Sequence, residues 1–505
     1  MVGLKGAQRL RRSLSQICLH VLLFGLLTPL PGDGQDPQWG SRTFEPVRAA
    51  IHVHSSYSTG DESLREIAEQ ARANGLAVLI LTDDDLLEVS YGLPPWSRLL
   101  RVTQSEEALF TDNRLEAYLD EIRQLDASFE DLVIIDGVES APYYTWDVDW
   151  AQRRWTVRGW NKHLLAIGLD SADAYRGLPV LGGDGMWLPQ DGSAVLRMLW
   201  PVLGLFYALW LGRRMHGTVL RLLVASICLL FLLDGSLGDF RVARFDANVD
   251  TGPQPYQAWI DAVAAADGLS FWAHPEAALT IPAHSVAGIV EVHSQTPAHA
   301  GDLLATQGYT GFAALYADNV TATEPGREWD QTLIEYLQGR RARPSWGMGE
   351  IDYHRQERGA ELHDIQTVLF VEERSRQGVL EALTHGRAYA VRGGDEALQL
   401  QRFVATTVVG EAVAGQQVST AGKPWTVSAV IDKANGTTEV VDLRLVRGTA
   451  QGQVEVVARL SGSTPLHVEH VETRLPQDEQ CYFRLLVTSR TSILTSNPIF
   501  LRGTD

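Results

Sequence analysis

The chain has 505 residues, too many for a single hydrophobic core, and is expected to fold as about two or three domains. It carries 43 Lys and Arg against 62 Asp and Glu, a formal net charge of −19, which repels polyanions and argues against a nucleic acid polymer as partner. Its three cysteines, Cys18, Cys228 and Cys481, cannot build a disulfide framework and fix no compartment.

Taken in chain order, the first element is a targeting segment. Lys5, Arg9, Arg11 and Arg12 precede the apolar run ICLHVLLFGLLTPLPG, and a polar stretch follows. A basic region, an apolar region and a polar break predict a signal peptide or signal anchor over residues 1–34. From residue 45 to about 393 helical and strand patterns alternate: SLREIAEQARANG before LAVLILTDDD, EEALFTDNRLEAYLDEIRQLD before LVIIDGVES, PYQAWIDAVAAADG before LSFWAHPE, and EWDQTLIEYLQGRR before PSWGMGEIDYH. Such alternation predicts a parallel sheet or barrel.

Two further apolar runs, residues 194–211 and 218–235, interrupt that pattern. Each is near the lower length limit for crossing a bilayer, and the connector GRRMHG carries Arg213 and Arg214, as a short cytoplasmic turn would. They predict a two-helix membrane hairpin over 194–235, with a buried helical hairpin as the alternative. With the N-terminal basic cluster also inside, the remainder of the chain is placed outside the cytoplasm, membrane-associated. From 394 to 505, short alternating runs such as WTVSAVI and CYFRLLVTS, separated by turn residues including Asn435-Gly436, predict an antiparallel β-sandwich.

The strand ends carry the chemistry. In a (β/α) barrel, functional groups gather at the C-terminal ends of the strands. His52 and His54 end the first strand, about 7 Å apart on one face, a spacing that suits two imidazoles on one metal ion. Asp83, Asp84 and Asp85 end the second, Glu139 the third, His274 lies in WAHPE, and Asp352 and His354 lie in EIDYH. His163, in NKHLLAIG, begins its strand instead of ending it, which the barrel rule leaves unexplained. One such histidine is ordinarily structural; six strand-associated stations of ligand type point to a multinuclear metal site.

HxH, TDxD, GVE, HLLAIG, AHP and DxH, in that order over about 350 residues, resemble the PHP (polymerase and histidinol phosphatase) metallohydrolases. The resemblance implies a distorted (β/α)7 barrel, here interrupted by the hairpin and followed by the sandwich. It also implies two or three divalent ions (zinc, manganese or iron) and hydrolysis of a phosphoester. The C-terminal LTSNPIFL resembles the carbaryl-hydrolase branch, which would imply a carboxyl or carbamate ester instead. By the family pattern one metal takes His52, His54, Glu139 and Asp352, and a second takes Glu139, His163 and His274. At the third position this chain departs, with Thr59 where the family has Asp and Asp84 where it has His, beside His354. A dinuclear centre with a weakened third site is therefore expected.

Bridging metals lower the pKa of a shared water and neutralise charge on a reacting phosphoryl or carbonyl oxygen. His354 or Asp84 is then the candidate proton donor to the leaving group. Lys162, Arg355 and Arg387 are candidate contacts for a substrate anion, with surface charge as the ordinary alternative. The segment YGLPPWSRLLRVTQ, with Trp96, Arg98 and Arg101, is a candidate lid or an ordinary surface loop; His293 ends another expected strand without a ligand role in the pattern. The competing class is a degenerate barrel kept as a membrane-tethered binding module.

Overall fold

A computed structural model describes residues 44–504, except 94, 97–98, 112–113, 182–191, 212–217, 237–246, 287–289, 318–319, 355–359, 434 and 474. The expected signal segment thus lies outside the described residues. The strands of the first part, in chain order, are β1 Glu45–Val53, β2 Val78–Leu81, β3 Glu88–Gly92, β4 Arg101–Ser105, β5 Val133–Ser140, β6 Thr145–Asp149, β7 Arg154–Arg158, β8 Leu164–Ile167, β9 Leu269–Trp272, β10 Leu279–Val286, β11 Val290–Thr296, β12 Gly311–Leu315, β13 Trp346–Gly349, β14 Ile365–Val371 and β15 Ala388–Arg392. Those that follow are β16 Leu398–Thr406, β17 Glu411–Val413, β18 Gln417–Ser419, β19 Trp425–Lys433, β20 Val440–Thr449, β21 Val454–Ser463, β22 Leu466–Glu472, β23 Gln480–Thr488, β24 Ile493–Ser496 and β25 Ile499–Arg502.

The architecture is mixed α/β, with large sheets and mostly strands, and it corrects the expected (β/α)7 barrel interrupted by a membrane hairpin. One 15-stranded sheet runs β13-β12-β9-β8-β5-β2-β1-β14-β15-β24-β23-β20-β21, with β25 and β18 branching from β23. β1, β2 and β5 are parallel, as are β9, β12 and β13, but β8 runs antiparallel to both β5 and β9. From β1 the sheet continues through antiparallel β14 and β15 directly into the C-terminal strands. The sandwich is therefore not detached: one of its layers is the far end of this sheet, and the other is the four-stranded β17-β16-β19-β22. Helix-to-strand alternation was legible in the sequence, but strand direction was not, because a buried four-residue run reads the same either way.

The short strands of the first part are apolar on both faces because helices cover them; β2, β8, β9 and β12 are buried along their whole length. The helix Leu64–Ala73 shows how the covering is encoded. Ser63 and Glu66 form a capping box at its start, and Leu64, Ile67, Ala68 and Ala71 line its buried face. The helix Arg376–His385 stops at Gly386, whose φ of 64° is the left-handed conformation a helix terminator adopts. A side chain there would also run into the indole of Trp346.

The two long apolar runs do form helices, Gly192–Leu211 and Thr218–Ser236. Among the described residues, however, no helix is long and apolar enough to cross a membrane, and the expected membrane hairpin is overturned. Each run was at the length limit from the outset, and each is diluted: Arg197 and Pro201 fall in the first, Arg221 and Asp234 in the second. The second helix is tied to the rest of the protein instead. The Leu99 amide donates to the Asp234 carboxylate at 2.9 Å, and the Trp96 ring lies 5.8 Å from Phe231. The expected lid segment is thus the tip of the β3–β4 hairpin, resting on this helix; Arg98 lies outside the described residues.

Candidate metal centre

The antiparallel course of β8 resolves the position of His163. Because β8 runs against its neighbours, its N-terminal end sits at the same sheet edge as the C-terminal ends of β1, β2, β5 and β9. His163 immediately precedes β8, so it reaches the cluster by starting its strand where the others finish.

At that edge Glu139 is the hub. Its carboxylate lies 3.0 Å from His52 Nε2, 3.2 Å from His54 Nε2, 2.7 Å from His163 Nδ1 and 3.3 Å from His274 Nε2. Asp352 Oδ1 completes the other side, 3.4 Å from His52 Nε2, 3.5 Å from His54 Nε2 and 3.1 Å from His354 Nε2. Two sets of potential ligand atoms emerge that coincide with the sets expected from the sequence: His52, His54, Glu139 and Asp352, and Glu139, His163 and His274. A third set, His52, His274 and Glu350, was not expected.

Several of these atoms fit a cation better than they fit one another. The ring nitrogens His52 Nδ1, His52 Nε2, His54 Nε2 and His274 Nδ1 are buried yet lack a hydrogen bond of acceptable geometry, although carboxylate oxygens stand close to three of them. Buried polar atoms are ordinarily paired, so orphaned nitrogens converging on carboxylates fit shared coordination of a divalent ion. The backbone is also bent toward this purpose. His52, His274 and Asp352 have φ of 71°, 28° and 50°, a region non-glycine residues rarely enter.

The electrostatics agree. Burial pulls the His52 and His54 imidazoles down, but Glu139, Asp352 and Glu350 around the first, and Asp84 with Asp352 and Glu139 around the second, raise both well above the ordinary value. Burial likewise lowers His274, but Glu139, Glu350 and Asp352 together outweigh it, so His274 also ends raised. Burial alone would lift Glu139; His163 and His52 hold it well below the usual carboxylate range instead.

The metal-free cluster therefore stores protons where a cation would sit. A raised imidazole stabilises the fold fully below about pH 6.5 and loses that contribution as pH rises through its folded value. Lowered Glu139 and Asp352 act oppositely, losing theirs only as pH falls through their depressed values. Chelator-treated protein is thus expected to lose thermal stability as the pH is raised above about 6.5. Zinc-loaded protein should hold its melting temperature over the same range; parallel melting curves for the two forms would contradict this.

The residues of the expected third site pair with their neighbours. The Thr59 hydroxyl donates to Asp84 Oδ2 at 2.7 Å, and Asp84 Oδ2 lies 3.2 Å from His54 Nδ1. The His354 ring stacks on His54 at 4.3 Å, and its Nε2 approaches Asp352, not Asp84. Among the described residues Thr59, Asp84 and His354 do not form a ligand set, though all three line the cleft over the cluster. Asp83 serves the scaffold: buried, it accepts from the Ser55 amide and from the Ser55 and Ser58 hydroxyls at 2.8–3.0 Å.

The candidate anion contacts are placed less favourably. Lys162 Nζ is 2.7 Å from Asp302, and Lys162 does not line the cleft. Arg387 is buried beside Phe370 and the Phe44 ring, also outside the cleft lining. Arg355 lies outside the described residues. His293 sits between Val292 and Ser294, which do line the cleft, so strand alternation turns it to the other face of β11.

Two residues were missed. Glu350 is fully buried; its carboxylate stands 3.2 Å from His52 Nδ1 and accepts the His274 amide at 2.5 Å. It therefore borders one ligand imidazole on the side turned away from Glu139 and anchors the backbone of another, an outer carboxylate placed to orient both rings. Tyr316 donates to Asp352 Oδ2 at 3.2 Å. Both directly follow strands, β13 and β12, so the strand-end rule applied without exception would have found them. Glu350→Gln is expected to weaken metal binding about 10–100-fold with the fold retained; unchanged zinc affinity by competition with a chromogenic chelator would rule out this orienting role.

No family model and no curated protein matches the chain. Among solved structures it is similar to a two-domain protein from Bacteroides vulgatus described as containing a predicted PHP-like metal-dependent phosphoesterase. That match has 12% identity over 88% of this chain and 90% of the other, with a TM-score of 0.33. It is also similar to a predicted metal-dependent phosphoesterase from Bifidobacterium adolescentis, at 16% identity over 66% of this chain and 95% of the other, with a TM-score of 0.26. A third likeness is to the sensor domain of the anti-sigma factor RsgI4 of Pseudobacteroides cellulosolvens, at 10% identity over 22% of this chain and 95% of the other, with a TM-score of 0.15. Likenesses this loose fix neither fold nor chemistry. The carbaryl-hydrolase resemblance finds no support among them.

Proposed function

We propose that the chain is a metal-dependent hydrolase of ester bonds, acting on a phosphoester. The observation that carries this reading is the Glu139 carboxylate, within 3.3 Å of four imidazole nitrogens from three separate segments. His52, His54, Glu139 and Asp352 would hold one divalent ion, and Glu139, His163 and His274 another. Ions so placed supply a water of lowered pKa and neutralise negative charge developing on the ester. Glu139 fixes the spacing of the two ligand sets, and Glu350 and Tyr316 hold His52 and Asp352 in orientation. His354 and Asp84 face the cleft, with His354 partly exposed, and would be the groups to protonate a leaving oxygen.

A second reading, hydrolysis of a carboxyl or carbamate ester, is favoured by one feature: no Lys or Arg lines the cleft among the described residues. Chelation followed by reconstitution with zinc, manganese or iron, assayed with p-nitrophenyl phosphate and p-nitrophenyl acetate, separates the readings. Faster metal-dependent turnover of the phosphate supports the first and of the acetate the second. A reconstituted protein that hydrolyses neither, nor any other ester offered, would point to a binding module.

A further inference from the structure

The cluster opens into a cleft of about 760 Å³, and most of that cleft has no part in holding metal. Its walls come from three hairpins outside the 15-stranded sheet: β3–β4, β6–β7 and β10–β11. Alternation turns apolar side chains inward: Leu87, just before β3, is followed at two-residue spacing by Val89 and Tyr91, and Trp155 and Val157 do the same along β7. Gln104, Glu106 and Ser294 are polar exceptions on the β4 and β11 sides. The aromatic residues interlock: the Tyr91 ring lies 4.2 Å from Trp155 and 5.3 Å from Trp146, and Trp150 lies 5.4 Å from Trp155. Trp160 closes the wall three residues before His163, joining the apolar surface to the ligand cluster.

Alternating strands ordinarily turn their apolar face to the core and their polar face to water. Here the hairpins turn it into a cavity of small-molecule size whose floor is polar. Any anionic part of a ligand finds countercharge only at that floor, since no Lys or Arg lines the walls among the described residues. Tryptophan and tyrosine walls offer broad, rigid faces for offset stacking with a planar ring.

We infer that the hairpin chamber is a specificity site for an uncharged aromatic group on the leaving-alcohol side of the ester, seated among Trp146, Trp155, Trp160 and Tyr91 while the ester lies at the ligand cluster. The inference rests on the hydrolase reading for its reaction and on the chamber alone for its ligand.

Methyl, benzyl and 2-naphthylmethyl phosphates, with the matching acetates, test it in zinc- or manganese-loaded protein, because their leaving alcohols are of similar acidity. The expected kcat/KM rises at least about 100-fold from methyl to 2-naphthylmethyl in the hydrolysed series. Trp155→Ala should cut that ratio at least about tenfold, and Trp150→Ala, at an exposed residue of the chamber mouth whose loss cannot unfold the core, should also lower it. Calorimetric titration with 2-naphthylmethanol, with and without metal, supplies a readout independent of turnover. Saturable one-to-one binding that both variants weaken supports the chamber as an aromatic site. Turnover without aromatic preference, or alcohol binding indifferent to both variants, overturns the inference. Binding of the alcohol with no ester hydrolysed keeps the chamber assignment and removes the hydrolase reading.

Discussion

Glu139→Ala is expected to strip the metal from the protein and lower ester hydrolysis by about 10³-fold or more. The size follows from position. Glu139 is nearly fully buried, belongs to both ligand sets the sequence pointed to, and lies within 3.3 Å of four imidazoles. Without it His163 and His274 keep no carboxylate in their ligand set, and His52 and His54 keep only Asp352 in theirs. The raised protonation of His52, His54 and His274 would fall away with it, because Glu139 is among the groups that overcome burial for those three. Elemental analysis and steady-state kinetics on the variant check this, with circular dichroism to verify the fold. A variant that keeps its metal and its rate would place the chemistry elsewhere.

The second large effect is on the fold. Asp330→Ala is expected to destabilise the protein by about 3–5 kcal/mol, the usual cost of orphaning one member of a buried ion pair. Asp330 and Arg484 are both fully buried, joined at 2.7 and 2.8 Å through Nε and Nη2. The Tyr482 hydroxyl adds 2.6 Å to the same carboxylate, and the Arg484 guanidinium lies 4.8 Å from the centre of the Trp329 ring. Asp330 belongs to the helix Glu328–Leu337 and Arg484 to β23, so the pair bolts the C-terminal strands to the metal-binding part of the chain. The double variant Asp330→Leu with Arg484→Met should recover much of the loss, since it removes both charges. Urea denaturation measures both; a single-variant loss below about 1 kcal/mol would mean the pair is as weak as an exposed one.

How much could be read from the sequence differs between site and fold for a physical reason. Ligand chemistry is local: His52, His54, Glu139, His274 and Asp352 each sit at the end of an apolar run, and the structure brings all five to one edge. His163 was identified by type, but its place became intelligible only with the direction of β8, which depends on pairing between distant segments. Glu350 was hidden by its neighbours, since Asp352 and His354 already satisfied the motif in EIDYH. The hairpin was misread because hydropathy measures a segment and not its surroundings; Asp234, a cost in a membrane, is here a hydrogen-bond acceptor for Leu99. The hairpins that build the aromatic chamber were passed over because alternating strands with apolar faces look the same whether the face meets a core or a cavity.

Whether the cluster is a metal centre is tested most directly by elemental analysis of the purified protein, before and after exhaustive chelation. About two divalent ions per chain, removed by the chelator and restored on adding zinc or manganese, is the predicted result. Protein that arrives without metal and takes up none at any pH from roughly 6 to 9 would contradict it, because the imidazoles gathered around Glu139 would then have no cation to serve.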